Sequence, residues 1–372
     1  MSPEPFGPDP MELADKERRL RRLLTEHKLD ALVLARLNNF AWATGGRDCA
    51  AFFAGEKGEA QIVLTSDDKF LIVPNVEAAR LAAEEELEAQ GYRLVVYPWW
   101  QPGQELARVT RGKRWGADCP YPGALDLAGE VARLRWQFTP AEQERFRWLG
   151  RASAEALEAA ARSAAPGLTE RQLMSELATE CLARQVAPVL MLVGSDERLL
   201  RYRHPVATAK PIESDVMLVL CGRRWGLVAS ASRLVHVGPL PAELKRRAAA
   251  VAHVDATLIA ATRPGTRACD IFAQGARAYA EAGYPEEWQH HHQGGLAGYA
   301  AREYLAQPDC QEVVQVDQAF SWNPSLSGVK SEDTFLLTLA GREFLTVTGD
   351  WPYTRVSIED ETIDRPSILQ MG

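Results

Sequence analysis

Short apolar runs and amphipathic runs alternate between residues 11 and 135. "MELADKERRLRRLLTEHKLD" spaces its leucines at helical intervals and carries charge on its other face. "ALVLAR" is a short buried-type strand, and "AQIVLTSDD" and "KFLIVPN" read as a strand pair around a polar turn. "VEAARLAAEEELEAQ" predicts a helix and "YRLVVYPWW" another strand. Helices alternating with short apolar strands predict an α/β layer domain over 11–135. The opening "MSPEPFGPDP", residues 1–10, is proline-rich and expected to be disordered.

A second domain is expected over 139–360. Thr139 is placed to cap a helix, with Pro140 in its first turn and Glu142 closing a capping box. Phe146, Leu149, Ser153, Leu157 and Ala160 follow at helical spacing. "PGLTERQL" ends this helix and starts another, with Thr169 and Gln172 as a second capping box and Leu173, Leu177 and Cys181 on one face. "VMLVLCG", residues 216–222, is continuously apolar and predicts a buried strand, with "RRWGLVASASRLVHVG" returning as its hairpin partner. The order then repeats: a long helix over 241–262 with Leu244, Ala248, Val251 and Leu258 on one face, a break at "RPGTRACDIF", another helix, and a strand pair over 317–338. The domain therefore reads as two weakly similar halves, each two helices followed by antiparallel strands.

Composition narrows the function classes. With 372 residues, two domains are expected. The chain is 46% hydrophobic and 25% charged, as in soluble globular proteins. A net charge of -8 disfavours nucleic acid as a partner, since phosphate binding needs a basic face. No run is long and apolar enough to span a membrane, and no signal peptide pattern opens the chain. Cys49, Cys119, Cys181, Cys221, Cys269 and Cys310 are scattered without a CxxC pair, which fits reduced thiols in a cytoplasmic protein.

The stretch "FSWNPSLSGVKSEDT", residues 320–334, joins two strand-like runs through a Pro-, Ser- and Gly-rich turn. Together with "PGLTERQL", "RYRHPVATAKPIESDVMLVLCG", "GLVASASRLVHVG" and "HHQGGLAGY", it resembles the creatinase, aminopeptidase P, prolidase and methionine aminopeptidase family. The resemblance covers roughly residues 11–350. The implied fold class is α+β: a C-terminal pita-bread fold with pseudo-twofold helix-and-antiparallel-strand halves, preceded by a smaller α/β creatinase-like N-terminal domain. Peptidases of that family hold two metal ions with two Asp, one His and two Glu, and a metal-bound water attacks the amide. Carried over residue by residue, the first Asp falls near Val219 or Leu220, the second at Ser230, the His at His292, the first Glu at Asn323 and the second Glu at Glu332. Three of four carboxylates are missing, so no dinuclear centre and no tightly bound cofactor are expected. A single, weakly bound divalent ion at His292, Glu332 and Cys221 is the alternative.

His204, in "RYRHP", matches a histidine beside the active site of the family's peptidases, and a second such histidine is replaced near Tyr299. Creatinase, which lacks the metals, uses a histidine as general base and acid and glutamates to orient a cationic substrate. The resemblance thus implies His292 as base and Glu332 as an orienting or cation-binding carboxylate, with His204 beside them. Asn323, Ser230, Tyr299 and Trp322 are the candidate substrate-binding residues. Read without the resemblance, His292 is equally a polar core residue and His204 a loop residue near a proline. His290 and His291 are read as incidental neighbours, since successive strand residues face opposite sides. Ser230, His292 and Glu332 also have the residue types of a nucleophilic triad, and Cys221 those of a thiol nucleophile. Trp225, Trp288 and Trp322 flank the site in sequence, where aromatics beside strands are more often core.

Three readings follow: a metal-independent hydrolase or lyase of a small C–N compound, a non-catalytic binder of a peptide, metabolite or protein, and a metal-dependent Xaa-Pro aminopeptidase or dipeptidase. Expected partners are a small-molecule or short peptide ligand and, by the resemblance, a second copy in a homodimer. Neither nucleic acid nor membrane is expected.

Overall fold

The structure is a computed structural model, which describes residues 6–51 and 55–372. Two compact units form. One holds residues up to Arg145 with Trp225–Leu227, the other Phe146–Arg224 with Val228–Gly372. Of the stretch expected to be disordered, residues 1–5 lie outside the described residues. The first helix, α1 (Pro10–His27), opens inside that stretch, because Asp9 Oδ1 accepts hydrogen bonds from the Met11 and Glu12 amides at 2.8 and 3.0 Å.

In the first unit, β1 (Ala31–Arg36), α2 (Leu37–Ala43), β2 (Lys57–Thr65), β3 (Lys69–Pro74), α3 (Ala78–Glu84), β4 (Arg93–Tyr97), α4 (Gln104–Thr110), β5 (Trp115–Ala117), β6 (Leu125–Asp126) and α5 (Ala128–Leu134) follow α1. The strands form one mixed sheet in the order β4-β3-β2-β1-β5-β6. "ALVLAR" is β1, with five of its six residues buried, as a central strand requires. The helix predicted over 76–90 is broken. Glu86 takes φ 50°, and Leu87–Gln90 continue only as a 3₁₀ turn.

The chain passes from the first unit to the second within α6 (Pro140–Arg162), at whose start the Thr139 amide donates to Glu142 at 2.8 Å and the Glu142 amide to Thr139 Oγ1 at 3.3 Å. Then come α7 (Glu170–Ala183), with its Thr169–Gln172 capping box, β7 (Ala187–Ser195), α8 (Glu197–Arg201), β8 (Asp215–Arg224) and β9 (Leu227–Val237). The pattern recurs as α9 (Ala242–Ala261), α10 (Ala268–Glu281), β10 (Gly294–Ala297), β11 (Tyr304–Leu305), β12 (Gln318–Trp322), β13 (Ser325–Leu326), β14 (Val329–Lys330), β15 (Asp333–Thr338) and β16 (Gly341–Phe344). β17 (Tyr353–Ile358), β18 (Glu361–Pro366) and β19 (Leu369–Met371) complete the chain. Two larger sheets result, β19-β9-β8-β7 and β11-β10-β12-β15-β16, with β13-β14 and β17-β18 as two-stranded ribbons. β19 pairs with β9, so this sheet extends past residue 360, the expected end of the domain. Among the described residues no helix is long and apolar enough to cross a membrane.

A buried ionic network fastens this unit. Asp333 stands 3.0 Å from Arg233 and 3.1 Å from Arg365; Arg365 also meets Asp255 at 2.7 Å, and Arg233 meets Glu158 at 3.1 Å. These charges are tolerated in the interior because each has a partner of opposite sign.

Candidate active site

Register decides which side chains share the site. β12 and β15 pair antiparallel with Trp322 opposite Asp333. With a side-chain period of two, Trp322 and Asp333 point to one face and the next pair out, Asn323 and Glu332, to the other. Trp322 is accordingly a core residue: it is buried, stacks on Phe320 at 6.1 Å, and gives its indole N–H to Thr262. Its expected role in substrate binding is corrected by this register.

Glu332 is the centre of the other face. It is 2% exposed, and both oxygens are engaged. Oε1 accepts from Arg302 Nη2 at 2.9 Å, and Oε2 accepts from Ser232 Oγ at 2.6 Å and lies 2.9 Å from Lys330 Nζ. Burial alone would raise its pKa, but Lys330, Arg302 and the Ser232 hydroxyl outweigh it and hold the carboxyl down at about 2. Glu332 is thus a carboxylate already neutralised by two side-chain cations, not the free cation-binding group expected from its position. Arg302 and Lys330 were missed in the sequence. A signal was present for Lys330, which stands only two residues before Glu332 in the quoted stretch. Arg302 lies outside every position compared.

The wall comes from β8 and β9. Cys221 Sγ lies 3.3 Å from Ser230 Oγ, and Arg302 Nη1 donates to Ser230 Oγ at 3.2 Å. The residue facing Ser230 across the hairpin is therefore Cys221. The two-residue turn at Trp225 and Gly226, with φ of 52° and 79°, sets this register. No nucleophilic triad is assembled: the partners of the Ser230 hydroxyl are a thiol and a guanidinium, and Glu332 is held by Ser232, Arg302 and Lys330. Burial and the Glu332 charge push the Cys221 thiol up, which disfavours a thiolate.

Three imidazoles stand at the rim. His204 Nε2 lies 3.0 Å from His291 Nε2, and the His291 and His292 rings stack at 4.4 Å. His291 is therefore not incidental. The strand argument fails because Glu287–His290 form a 3₁₀ turn and β10 begins only at Gly294. Gly294 has φ 98°, and a Cβ there would meet the Ser321 carbonyl at 2.2 Å, so a side chain could not pass where β10 presses on β12. Partial shielding from water, with Arg302 and Lys330, lowers the largely exposed His292 to about 4, while burial and Lys330 lower His291 to about 2, and partial shielding and Lys330 lower His204 in the same direction. Asn323 is buried with its Oδ1 unpartnered, and its amide donates to the Gln293 carbonyl at 3.0 Å beside His292. Tyr299 is buried and its amide donates to Glu303 at 3.0 Å.

The model of metallopeptidase family M24 matches residues 144–339, more than half of the chain. The chain belongs to metallopeptidase family M24. The creatinase/prolidase N-terminal domain matches residues 17–141. An Xaa-Pro dipeptidase from Bacillus anthracis superposes with a TM-score of 0.78 at 18% identity, covering 96% of this chain and 100% of that one. A prolidase from Pyrococcus furiosus gives 0.75 at 19% identity, with 88% and 99% covered. The X-Pro aminopeptidase of Thermotoga maritima gives 0.76 at 16% identity, with 95% and 99% covered. These likenesses show the fold, a creatinase-like N-terminal domain before a pita-bread domain. No curated protein matches the sequence.

The M24 metal pair is tested by the residues present. Across the five positions compared stand Val219 or Leu220, Ser230, His292, Asn323 and Glu332, with one carboxylate among them. That carboxylate is taken by Arg302 and Lys330. A dication 4 Å from either fixed cation meets about 8 kcal/mol of repulsion at an effective dielectric constant of about 20. These residues do not fit a pair of ions. His204, His291 and His292 place their ring nitrogens within 4.8 Å of one another, a donor set for one borderline metal. The nearby cations that disfavour protonation of these rings disfavour a dication there as well.

Proposed function

We propose that this M24 member works without a metal pair, as a hydrolase or lyase of a small C–N compound with His292 as general base. The observation that supports this reading is the clamp on Glu332 by Arg302 and Lys330, which puts fixed positive charge on the one carboxylate that the resemblance aligns with a family metal ligand. In hydrolysis, His292 takes a proton from the attacking water as the C–O bond forms, and negative charge developing on the attacked group faces Arg302 and Lys330. The resulting imidazolium returns the proton to the leaving nitrogen as the C–N bond breaks. His292 suits the first step at neutral pH because its ring is held neutral and is exposed to solvent.

One observation favours a non-catalytic binding role. A pKa near 4 makes His292 a weak base. The solved relatives are named as an Xaa-Pro dipeptidase, a prolidase and an X-Pro aminopeptidase, so metal-dependent cleavage of Xaa-Pro bonds is the third reading. The test is amine release from a panel of N-acyl, ureido and amidino compounds by wild type and His292→Ala, with and without added manganese. Turnover lost by about a hundredfold in His292→Ala and indifferent to manganese supports the proposal. Binding without turnover leaves the second reading, and manganese-dependent cleavage of Xaa-Pro peptides the third.

A further inference from the structure

We infer that Glu170 is a positioning residue of the candidate site: it fixes the segment that carries His204 and so holds that ring against His291. The inference deepens the proposed function and rests on the reading that the rim histidines border the reacting centre.

The chain leaves β7 at Ser195, turns through α8 and carries His204 before it reaches Thr208. Segments that join strands in this way are ordinarily mobile. Here both ends meet on one buried carboxylate. Glu170, in the first turn of α7, is fully buried. Its Oε1 accepts from the Ser195 amide at 2.9 Å and from the Ser195 hydroxyl at 3.0 Å. Its Oε2 accepts from the Thr208 amide at 2.8 Å, from the Thr208 hydroxyl at 2.7 Å and from Arg198 Nη1. These bonds fill the acceptor capacity of the carboxylate. Arg198 passes the hold on, since its Nη2 donates at 2.9 Å to the carbonyl of Val206, just beyond His204. Burial works against the charge on Glu170, but the bonds from Arg198, Thr208 and Ser195 outweigh it and keep the carboxyl below its ordinary range.

Two further features agree. Asp196 takes φ 52° and ψ -128°, a conformation that residues other than glycine keep only when their surroundings impose it. Its Oδ1 accepts from the Ser214 and Asp215 amides at 2.9 Å. The Gly328 amide donates to the Leu199 carbonyl at 3.0 Å, so the same segment rests on the turn between β13 and β14. At the tip stands His204, exposed, with its Nε2 3.0 Å from that of His291. A second tie, from Arg203 to Glu287, lies on partly exposed side chains and holds less firmly than a buried one. An exposed ring keeps one partner only where the backbone beneath it is already fixed, because ordering both together costs entropy. Glu170 is the buried group that fixes it.

Nuclear magnetic resonance of the full chain with isotope-labelled histidine tests this through the coupling across the His204–His291 hydrogen bond, alongside hydrogen exchange read by mass spectrometry. The wild type is expected to show the coupling and slow exchange over residues 196–208. Glu170→Gln is expected to lose the coupling and to exchange about tenfold faster in that segment, with exchange in α9 and β15 unchanged. Should that variant not fold, two changes at Thr208 decide. Thr208→Val removes a donor to Glu170 and loosens the segment, whereas Thr208→Ser keeps the hydroxyl and behaves as wild type. No coupling in the wild type, a coupling that survives in Glu170→Gln, exchange that rises evenly over the whole unit, or equal behaviour of the two Thr208 variants overturns the inference. The two readings fail separately. Coupling lost in Glu170→Gln without turnover in the panel above sinks the base reading alone, and His292-dependent turnover with a segment indifferent to Glu170→Gln sinks this one alone.

Discussion

Arg302 and Glu332 stand 30 residues apart in the chain and 2.9 Å apart in space, with Lys330 Nζ 2.9 Å from the other carboxylate oxygen. Glu332 is thus an internal counterion whose removal leaves two cations buried together. Glu332→Gln is expected to destabilise the second unit by about 3–5 kcal/mol, the usual cost of breaking a buried pair from one side. Urea denaturation of wild type and variant measures it; a loss below about 1 kcal/mol, as for a surface pair, contradicts the clamp.

Metal content is the second prediction. After incubation with manganese, cobalt or zinc and desalting, elemental analysis is expected to find close to no bound metal. Two ions per chain would mean that Arg302 and Lys330 swing aside and that the assignment of site positions is wrong. One ion lost in His204→Ala and His291→Ala would place it at the rim.

Stability is expected to fall with acid in two stages. His292 has a folded-state pKa of about 4, below its ordinary value of about 6.5, so the unfolded chain binds more protons between them. Its contribution is complete above about 6.5 and lost as pH falls through about 4; it is modest because the ring is exposed. Glu332 contributes fully above about 4.5 and loses its share as pH falls toward about 2, with a span on the order of 3 kcal/mol. Urea midpoints across this range check the order, and His292→Asn should flatten only the upper stage.

Cys221 is expected to be inert. Its thiol is buried and its pKa is raised by burial and by Glu332, so native protein should show no labelling there by a thiol reagent near neutral pH. Peptide mapping after labelling tests this. Cys310, the only one of the six cysteines that is not buried, should react first.

Local signals carried much of the fold. "ALVLAR" reads as a buried strand because its apolar run is continuous, and both capping boxes are formed by the residues that spell them, Thr139 with Glu142 and Thr169 with Gln172. The helix over 76–90 failed because Glu86 adopts a left-handed conformation that no propensity announces. The site was legible in part. His292, Ser230, Asn323 and Glu332 were read from their positions in quoted stretches, whereas Arg302 depends on a contact between residues 30 apart that no local pattern encodes. Trp322 was misplaced for want of one fact, the strand register. Period two in an extended segment sends neighbouring residues to opposite faces, so Glu332 enters the site while Asp333 joins Arg233 and Arg365 beneath it.

The hydrogen bonds from Ser232 to Glu332 and from Arg302 to Ser230, and the exchange between the Ser230 backbone and Thr334, all join one half of the repeat to the other, across separations of 72 to 104 residues. The pocket is therefore a seam, and neither half owns it. Closing contacts of such long range is slow, so the site should be among the last parts of the unit to assemble. Two fragments produced by cutting the bend at Gly238–Leu240 would each carry an unfinished edge: one with serines lacking their carboxylate, the other with a carboxylate lacking its serines. Mixing them would restore the site only by restoring the whole unit, so recovered ligand binding would report reassembly of the fold itself.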